Sequence, residues 1–398
     1  MTTQPSRPKR RQDIEIALVC ALPIEYDAIC LSLDKIWDDD DHGSQAHSGG
    51  GEHQNKYTTG VVGRHNVVLA LSSGTGKLAM NSLTSDLTGR FAGIKLLVLA
   101  GICAGVPSAE NDMLLGDVVI SRTLVQYDFG KHVPGGFDST VSVNENPHPS
   151  VRAMVVAFQT ERERDRLVDR ATEYLEEIQA RAGSKRRRVD YSRPPAATDR
   201  LFSAAYLHRH RGADLVCGCT EANVCTSAVT STCDELGCDT TQLMRRPRLD
   251  RVVAGEEPAE LDVFVGRFGS GDAVVRSGEY RDRMVREHGV VAIEMEGAGP
   301  WDGAPCVVVK GVCDFADSHK SKRWQRYAAA TSAAVTKAIL QGWVGGGGGG
   351  EENNSGLGEP GGMSAGPWLA KTPGAVYNTG NIFAHNTYNG DNVFNFSK

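Results

Sequence analysis

The chain lacks any run of about 18 consecutive apolar residues, the length that a bilayer-crossing helix needs, so no membrane span is expected. Its first segment, Met1–Gln12, is basic and polar. No apolar stretch with a small-residue cleavage site follows it, so it does not read as a secretory leader. Cysteine is sparse for a disulfide scaffold: ten residues, about 2.5% of 398. Without a secretory leader these read as reduced thiols in a cytoplasmic or nuclear setting. Neither charge sign dominates, with 43 Lys and Arg against 49 Asp and Glu and a formal net charge of −6. That balance gives no whole-chain reason to expect nucleic acid as a partner.

Glycine, by contrast, is abundant: 45 residues, about 11% of the chain, where about 7% is usual. Fourteen of the 45 fall after Trp343, beginning with the unbroken run Gly345–Gly350. This shift sets a boundary near Trp343. Residues 1–12 read as a basic, disordered N-terminus and 13–343 as one catalytic-type domain. Residues 344–376 form a flexible linker, and 377–398 a repeated tail.

Within 13–343, short apolar, β-branched runs alternate with helical stretches. Ile14–Cys20, Asn66–Leu71, Lys95–Ala100, Asp117–Ile120, Val290–Ile293 and Cys306–Val309 read as buried strands. Ile24–Ser32, Lys77–Arg90 and Gln325–Gln341 read as helices. This alternation predicts an α/β fold with a largely parallel sheet flanked by helices. Trp37–Gln54 is a polar surface connection. Residues 150–260 read as an insertion, with a charged helix over Val151–Ala182, the basic run Lys185–Arg188 and a Cys-rich stretch. Either basic run, Lys9–Arg11 or Lys185–Arg188, is compatible with nuclear localisation or with an ordinary solvated surface.

Two motifs carry the chemistry. In Val291–Ala298 (VAIEMEGA) a buried strand runs into two carboxylates around a methionine. Strand alternation would put Glu294 and Glu296 on one side and Met295 on the other. A carboxylate at the carboxyl end of a parallel strand, where open α/β sheets bind ligands, can accept both hydrogen bonds of a ribose diol. In Val307–Lys320 (VVVKGVCDFADSHK) a second strand carries Lys310 and ends near Asp314, with Asp317 and His319 behind. An acid there could protonate a heterocyclic nitrogen as its bond to a sugar breaks.

Taken together, and in this order along 13–343, the motifs CALPIEYDA, SGTGK, LAGICAGV with LGDVVIS, SGDAVV, and VAIEMEGA with VVVKGVCDFADS resemble the nucleoside phosphorylase and nucleosidase (PNP/UDP phosphorylase) superfamily. The local match is to its methylthioadenosine/S-adenosylhomocysteine nucleosidase branch, and to fungal members that serve as effector domains of NLR-type receptors. The resemblance implies a phosphorylase/hydrolase-like fold and cleavage of N-glycosidic bonds in purine nucleosides or nucleotides. It implies no cofactor, and a homo-oligomer. By this resemblance Glu25 would activate the attacking water, and Ser73, with Gly74, Gly76 and Lys310, would line the nucleophile loop. Met295 and Glu296 would hold the ribose, and Gly101, Val274 and Val275 would lie against the base. Asp314 would protonate the purine at N7 as the sugar gains oxocarbenium character. Nucleosidases often place an aromatic near Val274 and an arginine where Lys310 stands, so both positions depart from the pattern. SGTGK lacks the full P-loop spacing, which argues against an ATPase. Neither CALPIEYDA nor LAGICAGV contains the arginines with which phosphorylases hold phosphate, which favours hydrolysis. Lys310 and Lys77 keep a phosphorylase open, and a catalytically silent nucleoside-binding adaptor is the alternative of another class.

Five cysteines crowd into 217–238, after His208 and His210. Cys217, Cys219, Cys233 and Cys238 are weak candidates for a structural zinc, with ordinary reduced thiols the simpler alternative. No catalytic metal is implied. In the tail, Asn381-Ile382-Phe383, Asn386-Thr387-Tyr388 and Asn392-Val393-Phe394 repeat one Asn-led pattern. Copies stacked across chains would form Asn ladders and aromatic stacks. The tail resembles HET-s-type amyloid signalling motifs, which implies a receptor partner of the NLR type carrying a matching motif.

Overall fold

The computed structural model describes residues 5–37 and 55–344, apart from short loop positions (109, 135, 139–141, 145–146, 187, 212–216, 221–222 and 302–303). The Trp37–Gln54 connection beyond Trp37, the linker and the repeated tail lie outside the described residues.

In chain order the elements begin with β1 (Ile16–Cys20), α1 (Pro23–Ser32), β2 (Lys35–Ile36), β3 (Lys56–Val62), β4 (His65–Leu71), α2 (Lys77–Arg90), β5 (Leu96–Gly105) and β6 (Val118–Gln126). Short β7 (Lys131–Val133), β8 (Gly136–Asp138) and β9 (Ser142–Asn144) follow, then α3 (Pro149–Ala157), α4 (Glu161–Ser184), α5 (Thr226–Thr230) and α6 (Pro247–Ala254). The chain returns to the sheet through β10 (Val263–Ser270), α7 (Gly278–His288), β11 (Val290–Glu294) and β12 (Cys306–Asp314), and α8 (Gln325–Gly342) follows.

The main sheet runs β11-β10-β6-β12-β5-β1-β4-β3-β2. Parallel pairs join β1 to β4 and β5, β12 to β5, and β10 to β6 and β11. Antiparallel pairs join β12 to β6, β3 to β4, and β11 to β5. The last of these folds the β11 edge back onto β5, so the sheet curls on itself. All five residues of β1 and all nine of β12 are buried, as expected for strands covered on both faces. Helix α8 is buried from Tyr327 to Leu340. Its run of Ala, Ser and Thr lets it lie close against β5 and β12, with α1 and α4 packed on its other side. Lys337 within it is held by Asp34 at 2.7 Å and Glu177 at 3.1 Å.

Two expectations are corrected. The helix expected over Val151–Ala182 is two helices, broken at Phe158–Thr160. Thr160 caps the second, accepting from the Glu163 amide at 3.4 Å, and Glu161 and Glu163 favour that positive end. The apolar face of α4 (Leu167, Ala171, Leu175, Ile178) belongs to the main core, so this part of the expected insertion is integral packing. Second, β11 stops at Glu294, so strand alternation does not govern Met295 and Glu296. Among the described residues no helix is long and apolar enough to cross a membrane.

Candidate functional site

The carboxyl ends of β1, β4, β5, β10, β11 and β12 converge on one cleft of about 300 Å³. Glu25, Met295, Glu296, Asp314, Val274 and Val275 line it together, with Thr75 and Ile102.

Glu25 sits in the first turn of α1, after a helix start fixed by Pro23. Its carboxylate accepts the amides of Ala21 (3.0 Å), Leu22 (2.9 Å) and, across the sheet, Ile102 (2.8 Å). Three donors occupy most of a carboxylate's roughly four acceptor positions, leaving space for one further donor such as water. A Cβ on Gly101 would lie 2.2 Å from Glu25 Oε1. Glycine at that position makes room for the carboxylate, and the Gly101 amide is itself bound by Ser332 Oγ at 3.1 Å.

Lys310 is fully buried beneath the cleft. Its register in β12 puts it beside Gly101 of β5 and Val119 of β6. Its ammonium lies 3.2 Å from Glu296 and 4.0 Å from Glu294. Burial alone would lower its pKa, but Glu296, Glu25 and Glu294 hold it above the usual lysine range. Burial pushes Glu25 and Glu294 up from ordinary carboxyl values, against the pull of Lys310 and with repulsion from Glu296 adding to the rise. Glu294 accepts the amides of Glu296 (2.9 Å) and Gly297 (2.9 and 3.0 Å). It therefore shapes the turn after β11, and that turn, not a shared strand face, presents Glu296.

Asp314 ends β12. Its Oδ1 accepts the Ala316 amide at 2.9 Å, and its Oδ2 faces Lys320 Nζ at 3.1 Å and Cys313 Sγ at 3.3 Å. Ala316 has φ +54°, a left-handed conformation that costs a non-glycine residue of order 1 kcal/mol. The strained turn thus adjoins the acid. Behind it Asp317, pushed by burial to about 6, accepts the His319 amide at 2.9 Å.

The SGTGK loop is placed differently from the expectation. Ser73 is exposed and Thr75 lines the cleft in its stead, while Ser72 is the buried serine. The loop docks on the SGDAVV segment: the Lys77 amide donates to Asp272 (2.8 Å) and Lys77 Nζ binds Asp128 (2.5 Å). Gly76, at φ +96°, allows this approach, since a Cβ there would meet Asp272 Oδ1 at 2.9 Å. Gly74 donates its amide to Ser72 Oγ at 3.4 Å. Val275 is buried, whereas Val274 is 57% exposed at the cleft. Arg276, Lys320 and Lys322, which the motif reading passed over, also line the cleft. Their signal was adjacency: Arg276 directly follows SGDAVV, Lys320 ends the Val307–Lys320 motif, and Lys322 stands two residues beyond it.

The four cysteines proposed together divide into two groups. Cys217 and Cys219 gather with Cys225 and His210, and Cys233 and Cys238 with His208.

The phosphorylase superfamily profile matches residues 15–193. An NLR-like protein of Hyaloscypha variabilis is 30% identical over 83% of this chain, which spans 29% of that protein. The ATP nucleosidase Cap17 of Escherichia coli is 31% identical over 23% of this chain and 19% of its own length. The 5′-methylthioadenosine/S-adenosylhomocysteine nucleosidase of Treponema pallidum is 31% identical over 22% of this chain and 37% of its own. The chain thus spans well under half the length of each of these relatives. Among solved structures, a Helicobacter pylori MTAN mutant with 5′-methylthioadenosine covers 82% of this chain and 98% of its own at 15% identity, TM-score 0.47. Over residues 15–193 the chain is thus similar to the phosphorylase superfamily.

Proposed function

We propose that this chain cleaves the N-glycosidic bond of a purine nucleoside or nucleotide by hydrolysis. The observation that carries the reading is the convergence of Glu25, Met295–Glu296 and Asp314 on one cleft above a buried lysine. Asp314 is the acid for the departing base. As the bond lengthens, electron density moves onto the base, and a proton delivered to its N7 neutralises it. The sugar acquires oxocarbenium character, which the carboxylates at this end of the cleft favour electrostatically. Glu296, fixed by Lys310 and by the Glu294-built turn, accepts from the ribose diol. Water held at the remaining acceptor position of Glu25 attacks the anomeric carbon and passes its proton to that carboxylate.

The charge balance supports water over phosphate. Lys310 is taken up by Glu296 and Glu294, Lys77 by Asp128, and Lys320 by Asp314. An anionic nucleophile at Glu25 would meet carboxylates whose lysines are already paired, and would have to draw on Arg276 and Lys322 at the cleft. Free base from a panel of nucleosides and nucleotides, separated by chromatography with and without phosphate, tests this. Phosphate-independent release is expected, and strict phosphate dependence would overturn hydrolysis. Asp314→Asn should lower release by about 10²–10⁴-fold, and equal rates would overturn the mechanism.

One observation favours a nucleotide. Arg276 and Lys322 line the same cleft and form no ion pair with a carboxylate among the described residues, so they are available to a 5′-phosphate chain.

The Asn-led tail repeat, outside the described residues, supports control by clustering: stacked tails would gather catalytic units on a receptor bearing a matching motif. Fibre formation by a peptide of 377–398 supports this arm, and a persistently soluble coil refutes it.

A further inference from the structure

The segment between Phe202 and Arg246 poses a packing problem. Among its described residues only Ala228 is a buried apolar side chain, and only His208 a buried polar one. The single α-helix among those residues, α5, has five residues. A stretch of this length without a core of its own needs another source of order.

That source is in its side chains. His210 Nδ1 lies 3.7 Å from Cys219 Sγ and 3.5 Å from Cys225 Sγ, and Cys217 completes the group, with all ligand atoms within 4.8 Å of one another. A second group has His208 Nδ1 at 3.7 Å from Cys233 Sγ and 3.4 Å from Cys238 Sγ. Tetrahedral zinc, with Zn–S about 2.3 Å and Zn–N about 2.0–2.1 Å, separates a nitrogen and a sulfur ligand by about 3.6 Å. The observed separations bracket that value.

The surroundings are those of thiolate ligands. The Cys225 amide points at Cys219 Sγ and the Ala228 amide at Cys225 Sγ, each at 3.4 Å. His208 Nε2 lies 2.9 Å from the Ser231 carbonyl. Donation there fixes the proton on Nε2 and leaves the Nδ1 lone pair facing the two sulfurs, the usual second-layer support of a metal-bound imidazole. All ten cysteines are free thiols.

We propose that this segment is built on two zinc ions per chain: a closed Cys₃His site of His210, Cys217, Cys219 and Cys225, and a Cys₂His site of His208, Cys233 and Cys238 completed by water. On binding, each coordinating thiol releases its proton to solvent and no electrons are exchanged. His319 packs edge-on against His208, ring centroids 5.1 Å apart, and neither of its buried ring nitrogens has a hydrogen-bond partner among the described residues. A water on the second zinc would supply one. The His208 amide also donates to Ser318 Oγ at 3.0 Å, so the second site braces the turn that follows Asp314.

The test is elemental analysis of the full chain, expressed with zinc and purified reduced without chelator. About two zinc ions per chain are expected, falling to about one in Cys219→Ser/Cys225→Ser and about one in Cys233→Ser/Cys238→Ser. A zinc-free protein, or intact masses showing these thiols joined as disulfides, overturns the proposal. Zinc content unchanged in the Cys233→Ser/Cys238→Ser variant overturns the second site, and unchanged content in the other variant overturns the first. Should a variant fail to fold, cobalt titration of acid-stripped wild-type chain decides the matter. Thiolate-to-cobalt charge-transfer bands saturating at about two equivalents support the proposal, and their absence refutes it.

Discussion

Removing Lys310 isolates the electrostatics of the site. In Lys310→Met the side-chain volume is nearly kept, but Glu25, Glu294 and Glu296 lose the one ammonium buried among them. Breaking a buried ion pair by deleting one partner costs about 3–5 kcal/mol. For the unit Met1–Gly347, at about 2.1 cal/mol/K of unfolding entropy per residue, that is a drop of roughly 4–7 °C in Tm. The effect has a pH signature. Glu25 and Glu294 already have folded pKa values above their unfolded ones. Between those values the native state holds more protons than the unfolded chain, so their contribution falls as pH rises. Without Lys310 they rise further, and the variant's deficit should be larger near pH 8 than near pH 5. Calorimetric melts of both proteins at the two pH values provide the assay. Adding Glu296→Gln should restore part of the loss, because it removes one of the stranded carboxylates. A Tm within about 1 °C of wild type near pH 8, or a deficit that grows towards pH 5, would refute the argument.

Gly101→Ala places a methyl 2.2 Å from the Glu25 carboxylate and should lower the rate of base release at least about tenfold while circular dichroism stays native. A rate equal to wild type would remove Glu25 from the mechanism. Arg276→Ala/Lys322→Ala should raise KM for a nucleotide about tenfold, in line with the loss of charge-assisted contacts. KM for the parent nucleoside should stay unchanged, and an equal effect on both substrates would exclude phosphate recognition.

Short β-branched runs and the acids at their ends were legible in the chain because a strand covered on both faces must be apolar throughout. Ile16–Cys20 and the apolar start of β12, Cys306–Val309, announce themselves, and so does the carboxyl end where Asp314 stands; the stretch between them, opened by Lys310, is not apolar throughout. The break at Phe158–Thr160 was less visible, since Thr160 is a cap only once α3 has ended. The expectation of Ser73 in the cleft did not hold, and Thr75 lines it, because spacing cannot say which side of a docked loop faces the cleft. That depends on Asp272 and Asp128, far along the chain, binding Lys77.

The sequence by itself determined the α/β alternation, the change of character after Trp343 and the stock of carboxylates, cysteines and histidines. These follow from local propensity and from which side chains water rejects. Tertiary structure alone decided which of them meet. Parallel register set Lys310 beside Gly101, the end of β11 handed Glu296 to Lys310 through a turn built by Glu294, and five crowded cysteines became two groups around two histidines. Such pairings join residues distant in sequence, and their energies exist only after the sheet has brought them within a few ångströms, where Coulombic attraction and ligand geometry begin to act.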